Sequence, residues 1–144
     1  MILYLDTSSL AKLFIEEDGS DRVEEMAAEA TDVATSVITF PEMLSALGRR
    51  LREGDMTPEA FQAGLEGFKE RWKKLTKILV DHILVEDAGQ LVLRHGLRGM
   101  DGIQLAAALK IRGRHSAHAV HFLSFDDRLN DAAAREGFRE LHRG

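Results

Sequence analysis

Ile2-Leu3-Tyr4-Leu5 is a short apolar run broken by Asp6-Thr7-Ser8-Ser9. An apolar run stopped by helix-capping side chains reads as a buried strand running into a helix. On that helix Leu10, Leu13 and Phe14 share one face, and Glu16-Glu17-Asp18-Gly19 closes it. Val23, Met26, Ala27 and Ala30 recur at helical spacing with acids opposite, which predicts a second helix to about residue 30. Val33-Ala34-Thr35-Ser36 suits another strand. Thr39-Phe40-Pro41-Glu42 puts a proline in the first turn of a third helix, which continues through Met43, Leu44, Ala46, Leu47 and Leu51.

Gly54-Asp55-Met56-Thr57-Pro58 is a turn that opens a further helix, through Phe61, Leu65, Phe68 and Trp72 to Leu75, with a basic far end. Trp72 and its partners at helical spacing read as packing rather than as a platform for stacking bases. Of the triplets Ile78-Leu79-Val80 and Ile83-Leu84-Val85, at least one is a strand. Glu86 to His95 is helical and Gly96 ends it. Gly99-Met100-Asp101-Gly102 reads as a loop before Ile103-Gln104-Leu105-Ala106-Ala107-Ala108-Leu109, a helix buried on most sides. Val120 to Ser124 is a strand, Phe125-Asp126-Asp127 the turn after it, Arg128 to Glu136 a helix, with a short strand at Phe138. Alternating strands and helices predict an α/β fold with a mostly parallel sheet. Ligands of such sheets gather beyond the carboxyl ends of the strands.

A chain of 144 residues suggests one domain, 1–144, long enough to fold without staples. It has no cysteine, which excludes thiolate zinc sites, a cysteine nucleophile and a disulfide framework. The amino terminus lacks a basic segment before its apolar run, and no run approaches the roughly 20 residues of a membrane span. A soluble, cytoplasmic protein without membrane contact is expected. The net charge is −5, which argues against a broad basic face for nucleic acid. The acid is concentrated at the front: residues 1–46 carry two basic groups against ten acidic ones.

Four carboxylates fall at strand ends or helix starts: Asp6, Glu42, Asp101 and Asp126. Each alone has a local explanation. Asp6, Asp101 and Asp126 can cap the helices that follow them, and Glu42 stands three residues after Thr39, the spacing of a capping box. Taken together they converge on one edge of a parallel sheet. Crowded carboxylates repel, and a divalent cation offsets that repulsion. Oxygen donors with no cysteine or nearby histidine point to Mg2+ or Mn2+, which can activate water and stabilise charge developing on a phosphate. His115, His118 and His121 lie along a loop and strand, where alternation disperses the rings, so they do not read as a zinc site.

Four segments then acquire a joint meaning: Leu5-Asp6-Thr7-Ser8-Ser9-Leu10, Glu42 early in its helix, Leu97-Arg98-Gly99-Met100-Asp101 leading into Ile103-Gln104-Leu105-Ala106, and Phe122-Leu123-Ser124-Phe125-Asp126-Asp127-Arg128-Leu129. In this order and chain length the sequence resembles the PIN-domain ribonucleases, and among them the VapC toxins of bacterial and archaeal toxin–antitoxin pairs. The resemblance implies a three-layer α/β/α sandwich and metal-dependent endoribonuclease activity. Asp6, Glu42, Asp101 and Asp126 match the family's acidic, metal-binding and catalytic positions. Ser8 and Ser124 match small hydroxyl positions that orient a carboxylate or water. Asp127 directly follows Asp126, and the two-residue spacing from Ser124 favours Asp126 as the residue facing the metal. Gly102 stands where the family more often has alanine, which should loosen the helix start.

The same resemblance implies Mg2+ as cofactor, with Mn2+ a possible substitute, an RNA substrate, a cognate VapB-type antitoxin and a homodimer. Helices 39–52 and 57–75 are the expected surfaces for the protein partners. Lys12, Arg49, Arg50, Arg52 and Arg98 are the cations nearest the motifs and candidates for RNA phosphates, although Arg49, Arg50 and Arg52 also suit a solvated helix face. Two other functions compete. A receiver domain or small phosphohydrolase would phosphorylate Asp6, but a haloacid-dehalogenase-type enzyme needs an aspartate where this chain has Ser8. A binding module that kept only the fold would not need all four acids.

Overall fold

The amino-terminal apolar run forms the centre of the sheet. The structure, a computed structural model, describes residues 1–116 and 118–141. Its elements in chain order are β1 (Ile2–Leu5), α1 (Thr7–Leu10) continued by a 3-10 turn (Ala11–Leu13), α2 (Ser20–Glu29), β2 (Asp32–Ser36), α3 (Thr39–Arg52), α4 (Pro58–Trp72), β3 (Thr76–Ile78), α5 (His82–His95), α6 (Gly99–Gly113), β4 (Val120–Leu123) and α7 (Asp127–Arg135). The strands are ordered β3-β2-β1-β4 and every pairing is parallel. In register, Leu3 faces Val33 on one side and His121 on the other.

Strand alternation divides the core into two layers. Leu3, Leu5 and Val33 face α1–α4, meeting Leu10, Val23, Met43, Leu47 and Phe68. Tyr4, Ala34 and Phe122 face α5–α7, meeting Leu84, Leu91, Leu105 and Leu129. Helices on both faces bury Leu3, Tyr4 and Leu5 of β1 completely, which is why it reads as continuous apolar sequence rather than alternation. This is the three-layer α/β/α sandwich. The chain leaves β1 towards β2 on one side and later crosses to β4 on the other, so the order reverses beside β1, where α/β sheets open a crevice.

Several local expectations give way to packing. The first helix shortens to one turn plus the 3-10 segment. Of the two apolar triplets, Ile78 ends β3, whereas Ile83-Leu84-Val85 is helical, because Asp81 caps α5 by accepting from the Leu84 amide at 2.9 Å. Gly99-Met100-Asp101-Gly102 is the first turn of α6, not a loop. There α5 and α6 approach so closely that a Cβ at Gly102 would stand 2.6 Å from Val92 Cγ2 and 3.0 Å from the Ala88 carbonyl oxygen. The glycine therefore permits close packing instead of loosening the helix start. Phe138 forms no strand; it follows Gly137 at φ +97° and packs against Phe122 and the Arg112 guanidinium.

Helices α3 and α4, expected as partner surfaces, spend most of their apolar side chains on each other and on the sheet. Phe68 is fully buried, and its ring lies 5.5 Å from Phe40 and 5.7 Å from Trp72. Exposed large apolar groups stand instead at the end of β3 and on α5, where Leu79 is 70% and Ile83 57% exposed. Among the described residues no helix is long and apolar enough to cross a membrane.

Candidate functional site

Asp6 closes β1 and caps α1, and only 4% of it is exposed. Its Oδ1 accepts from the Ser9 amide at 3.0 Å and the Ser8 hydroxyl at 2.8 Å, and shares the Ser9 hydroxyl proton, at 2.9 Å, with the Leu123 carbonyl at 2.7 Å, while Oδ2 accepts from the Ser124 hydroxyl at 2.6 Å. Each outer serine has a second task. Ser8 Oγ accepts from the Phe125 amide at 3.1 Å, and Ser124 Oγ accepts from the Asp126 amide at 3.1 Å. Asp6 is thus tied through hydroxyls to the β4–α7 turn. Burial pushes its carboxyl above the usual range, and these hydrogen bonds, led by Ser124, pull it back.

Glu42 enters from the first turn of α3. The capping-box reading does not hold there: the N-cap is Ile38, without a side-chain cap bond, and Thr39 is buried in a polar cluster. Glu42 Oε1 accepts from the Thr7 hydroxyl at 2.5 Å and from Gln104 Nε2 at 3.1 Å. Gln104, one turn after Asp101 on α6, is only 2% exposed and accepts at Oε1 from the Tyr4 hydroxyl at 2.6 Å. The Tyr4 phenol is raised well above its usual range by burial first, then by the charges of Asp6 and Glu42, so it keeps its proton.

Asp101 and Asp126 complete the edge. Asp126 caps α7, accepting from the Leu129 amide at 2.9 Å, whereas Asp127 is exposed. Asp101 is half-buried and makes no hydrogen bond among the described residues. Its carboxyl is raised by burial, then by Asp126 and Asp6; Arg98 opposes this, and Glu42 adds to it. That pattern places Asp101 within the field of the other three carboxylates at the carboxyl edge.

No lysine, arginine or histidine among the described residues forms an ion pair with any of the four. The donor set, oxygen only and mutually repelling, fits a hard divalent cation. The spacing is that of separately held groups: among the described residues no three histidine, aspartate or glutamate side chains are gathered tightly enough to hold one ion. The hydrogen bonds above explain this, since serines hold Asp6, Thr7 and Gln104 hold Glu42, and the α7 amide holds Asp126. Asp101 alone is left with freedom to reorient.

The candidate phosphate contacts divide. Arg98 lines a groove of about 650 Å3 with Glu42, Met100 and Asp101, and Arg49 lines another with Glu42 and Thr7. Lys12 and Arg50 are already engaged by Glu17, at 3.1 Å and 2.5 Å, and Lys12 also lies 4.4 Å from the Phe125 ring centroid. Glu17 thus offsets one of these two charges within the molecule. Arg52 is exposed beside Gly48 and is not among the residues that line either groove. At the other end of β4, His118 and His121 both line a small cavity with Phe138 and Arg139, while His115 is not among its lining residues.

Tyr4, Thr7, Ser9, Thr35, Thr39 and Gln104 belong to this edge and are missed by reasoning from charge alone. A signal existed for Gln104. A lone amide within an otherwise apolar helix must find partners when buried, and its place three residues after Asp101 puts it on the same face.

Comparison with known proteins agrees with this geometry. The sequence pattern of the PIN domain matches residues 3–135. Ribonuclease VapC49 of Mycobacterium tuberculosis is 27% identical over 96% of this chain and 93% of its own length. Ribonuclease VapC3 of Pyrobaculum aerophilum is 29% identical over 79% of this chain and 86% of its own. Among solved structures, Mycobacterium tuberculosis VapC20, described as a Sarcin-Ricin loop cleaving toxin, superposes with a TM-score of 0.67 at 19% identity, covering 96% of this chain and 98% of that one. VapBC2 of Rickettsia felis, bound to a DNA fragment from its promoter, gives 0.54 at 17% identity over 86% of this chain and 100% of that one. With its parallel sheet, its acidic carboxyl edge and a family match over nearly its whole length, this chain belongs to the PIN-domain family.

Proposed function

We propose that residues 1–144 act as a single PIN domain, a metal-dependent endoribonuclease serving as the toxin of a toxin–antitoxin pair in the cytoplasm. The observation that carries the reading is the convergence of Asp6, Glu42, Asp101 and Asp126 on one sheet edge with no ion pair to any of them among the described residues. These residues would hold Mg2+, or Mn2+ in its place, and the ion would supply an activated water and charge neutralisation for in-line hydrolysis of an RNA phosphodiester.

The protein's own groups supply the rest. Ser8 and Ser124 fix Asp6, and Thr7 and Gln104 fix Glu42, so two carboxylates are oriented before substrate arrives. Arg98 and Arg49 line grooves on either side of Glu42 and can receive flanking phosphates. No side chain is needed as a covalent nucleophile. Asp6, buried and with both oxygens hydrogen-bonded, is poorly set for phosphorylation, which counts against a receiver or phosphohydrolase.

A VapB-type antitoxin is the expected partner, supported by the similarity to a paired toxin. A homodimer through α5 is supported by exposed Leu79 and Ile83 beside a groove of about 580 Å3 between α5 and α6. Sedimentation of the isolated chain tests it: a monomer at tens of micromolar rules the dimer out.

The decisive assay incubates partner-free protein with a broad panel of structured RNAs in Mg2+ or Mn2+, with EDTA, and as Asp6→Asn or Asp101→Asn. Cleavage that needs metal and both aspartates supports the reading. RNAs left intact with metal, or cut equally by both variants, overturn it, and labelling of Asp6 by a small phosphodonor would favour the phosphohydrolase instead.

A further inference from the structure

The cluster behind Glu42 has a direction that its end groups impose. Thr35 Oγ1 lies 2.7 Å from the Leu5 carbonyl oxygen, which can only accept, so the Thr35 proton points there. Thr39 Oγ1, 2.8 Å away, must then donate to Thr35. With its one proton spent, Thr39 can only accept from Gln104, at 3.0 Å, so Gln104 must present its NH2 group. With the NH2 group turned to Thr39, the carbonyl oxygen of Gln104 faces the buried Tyr4 phenol, which donates to it at 2.6 Å. The Thr39–Thr35 chain and the Glu42 carboxylate, which can only accept, demand the same amide orientation. A flipped Gln104 would set its carbonyl oxygen against Glu42 Oε1 and leave two buried acceptors facing each other.

We propose that Gln104, locked by Tyr4 and the Thr39–Thr35 chain, is a positioning residue for Glu42. Its N–H, at 3.1 Å, and the Thr7 hydroxyl, at 2.5 Å, both occupy Oε1. Among the described residues no hydrogen bond reaches Oε2, and Glu42 lines both surface grooves of this edge. One oxygen is therefore anchored and the other left for a cation. Asp101 and Gln104 occupy successive turns of α6, so one helix carries a candidate ligand and the group that orients another. The inference rests on the metal-dependent reading of the edge and adds a residue to it.

The test is Mn2+ affinity measured by calorimetry on the full chain, with melting in EDTA as a check on folding. Gln104→Met keeps the volume and removes the donors. It should weaken Mn2+ binding about tenfold, the usual worth of a group that holds a metal ligand, with little change in the metal-free melt. Because Gln104 acts through Glu42, the Gln104→Met/Glu42→Gln pair should bind no more weakly than Glu42→Gln alone, within twofold. Unchanged affinity in Gln104→Met, or losses that multiply in the pair, overturn the proposal. Should Gln104→Met fail to fold, Tyr4→Phe, which frees the amide to flip, takes its place with the same comparison, and its loss should be a few-fold. Wild-type protein that neither binds Mn2+ nor cuts RNA defeats the underlying reading, whereas wild type that does both beside a fully competent Gln104→Met defeats this inference alone.

Discussion

Asp6 and Asp101 sit on the same edge, both with raised carboxyls, and they are held in opposite ways. Asp6 is buried, and burial dominates its shift, but three serine hydroxyls and an amide answer it. Asp101 is half-buried, without a hydrogen bond among the described residues, and three neighbouring carboxylates add to its desolvation while only Arg98 opposes them. The comparison separates orientation from repulsion. Hydrogen bonds built into β1 and the β4–α7 turn fix Asp6 before anything binds, whereas the unrelieved charge of the site collects on Asp101 and waits for a cation.

The largest expected effects test what the two residues share. Asp6→Asn and Asp101→Asn should each reduce Mn2+ affinity and RNA cleavage by about 100-fold or more, since even partners of metal ligands are worth 10–100-fold. A variant retaining a tenth of wild-type cleavage would remove its residue from the site.

The next effects separate them. Ser124→Ala removes the donor to Asp6 Oδ2 and the acceptor for the Asp126 amide, leaving both groups short of a partner. It should cost about 2 kcal/mol in urea unfolding, and a loss under 0.5 kcal/mol would show that Asp6 is not held as described. Gly102→Ala acts on the other residue's support. The added methyl meets Val92 and the Ala88 carbonyl, so despite the better helix propensity of alanine it should cost roughly 1–3 kcal/mol. Adding Val92→Ala should recover part of this, because it clears the nearer contact; no recovery would shift the blame to the backbone.

The smallest effect concerns pH. Because both carboxyls are raised on folding, the folded state binds their protons more tightly than the unfolded chain does. Their contribution to stability is therefore lost as pH rises from the ordinary carboxylate value through the raised one. Metal-free protein should gain stability from these groups as pH falls through their raised range towards the ordinary carboxylate value, and the gain should shrink in Asp101→Asn. At pH 7 in EDTA, Asp101→Asn should melt about 2 °C higher than wild type, and with Mn2+ present the order should reverse. A variant that melts lower than wild type in EDTA contradicts stored repulsion at Asp101.

Legibility differed from residue to residue. Asp6, Asp101 and Asp126 are readable because a carboxylate at a strand end or helix start is conspicuous in sequence. Glu42 is readable as one of the four only when they are taken together, since its spacing from Thr39 also suits a capping box that the structure lacks. The helical start of α6 at Gly99 and the loss of the strand at Phe138 were hidden, because each depends on what a distant element offers: α5 for the first, Arg112 and Phe122 for the second. Lys12 and Arg50 look like free cations beside the site until Glu17 is brought between them by the fold.

By itself the sequence determined the alternation of strands and helices, the buried centre at Ile2–Leu5, and the chemistry available at the turns. Those are local matters, set by hydrophobic period, capping residues and the kind of donor each side chain carries. Tertiary structure alone decided which carboxylate is held and which is left under strain of charge. Tyr4 and Gln104 are 100 positions apart, and Ser124 and Asp6 are 118 apart, yet their hydrogen bonds fix the site. A hydrogen bond requires atoms within about 3 Å and the right donor facing the right acceptor, and only the packing of the sheet between its two helical layers brings these residues to that distance.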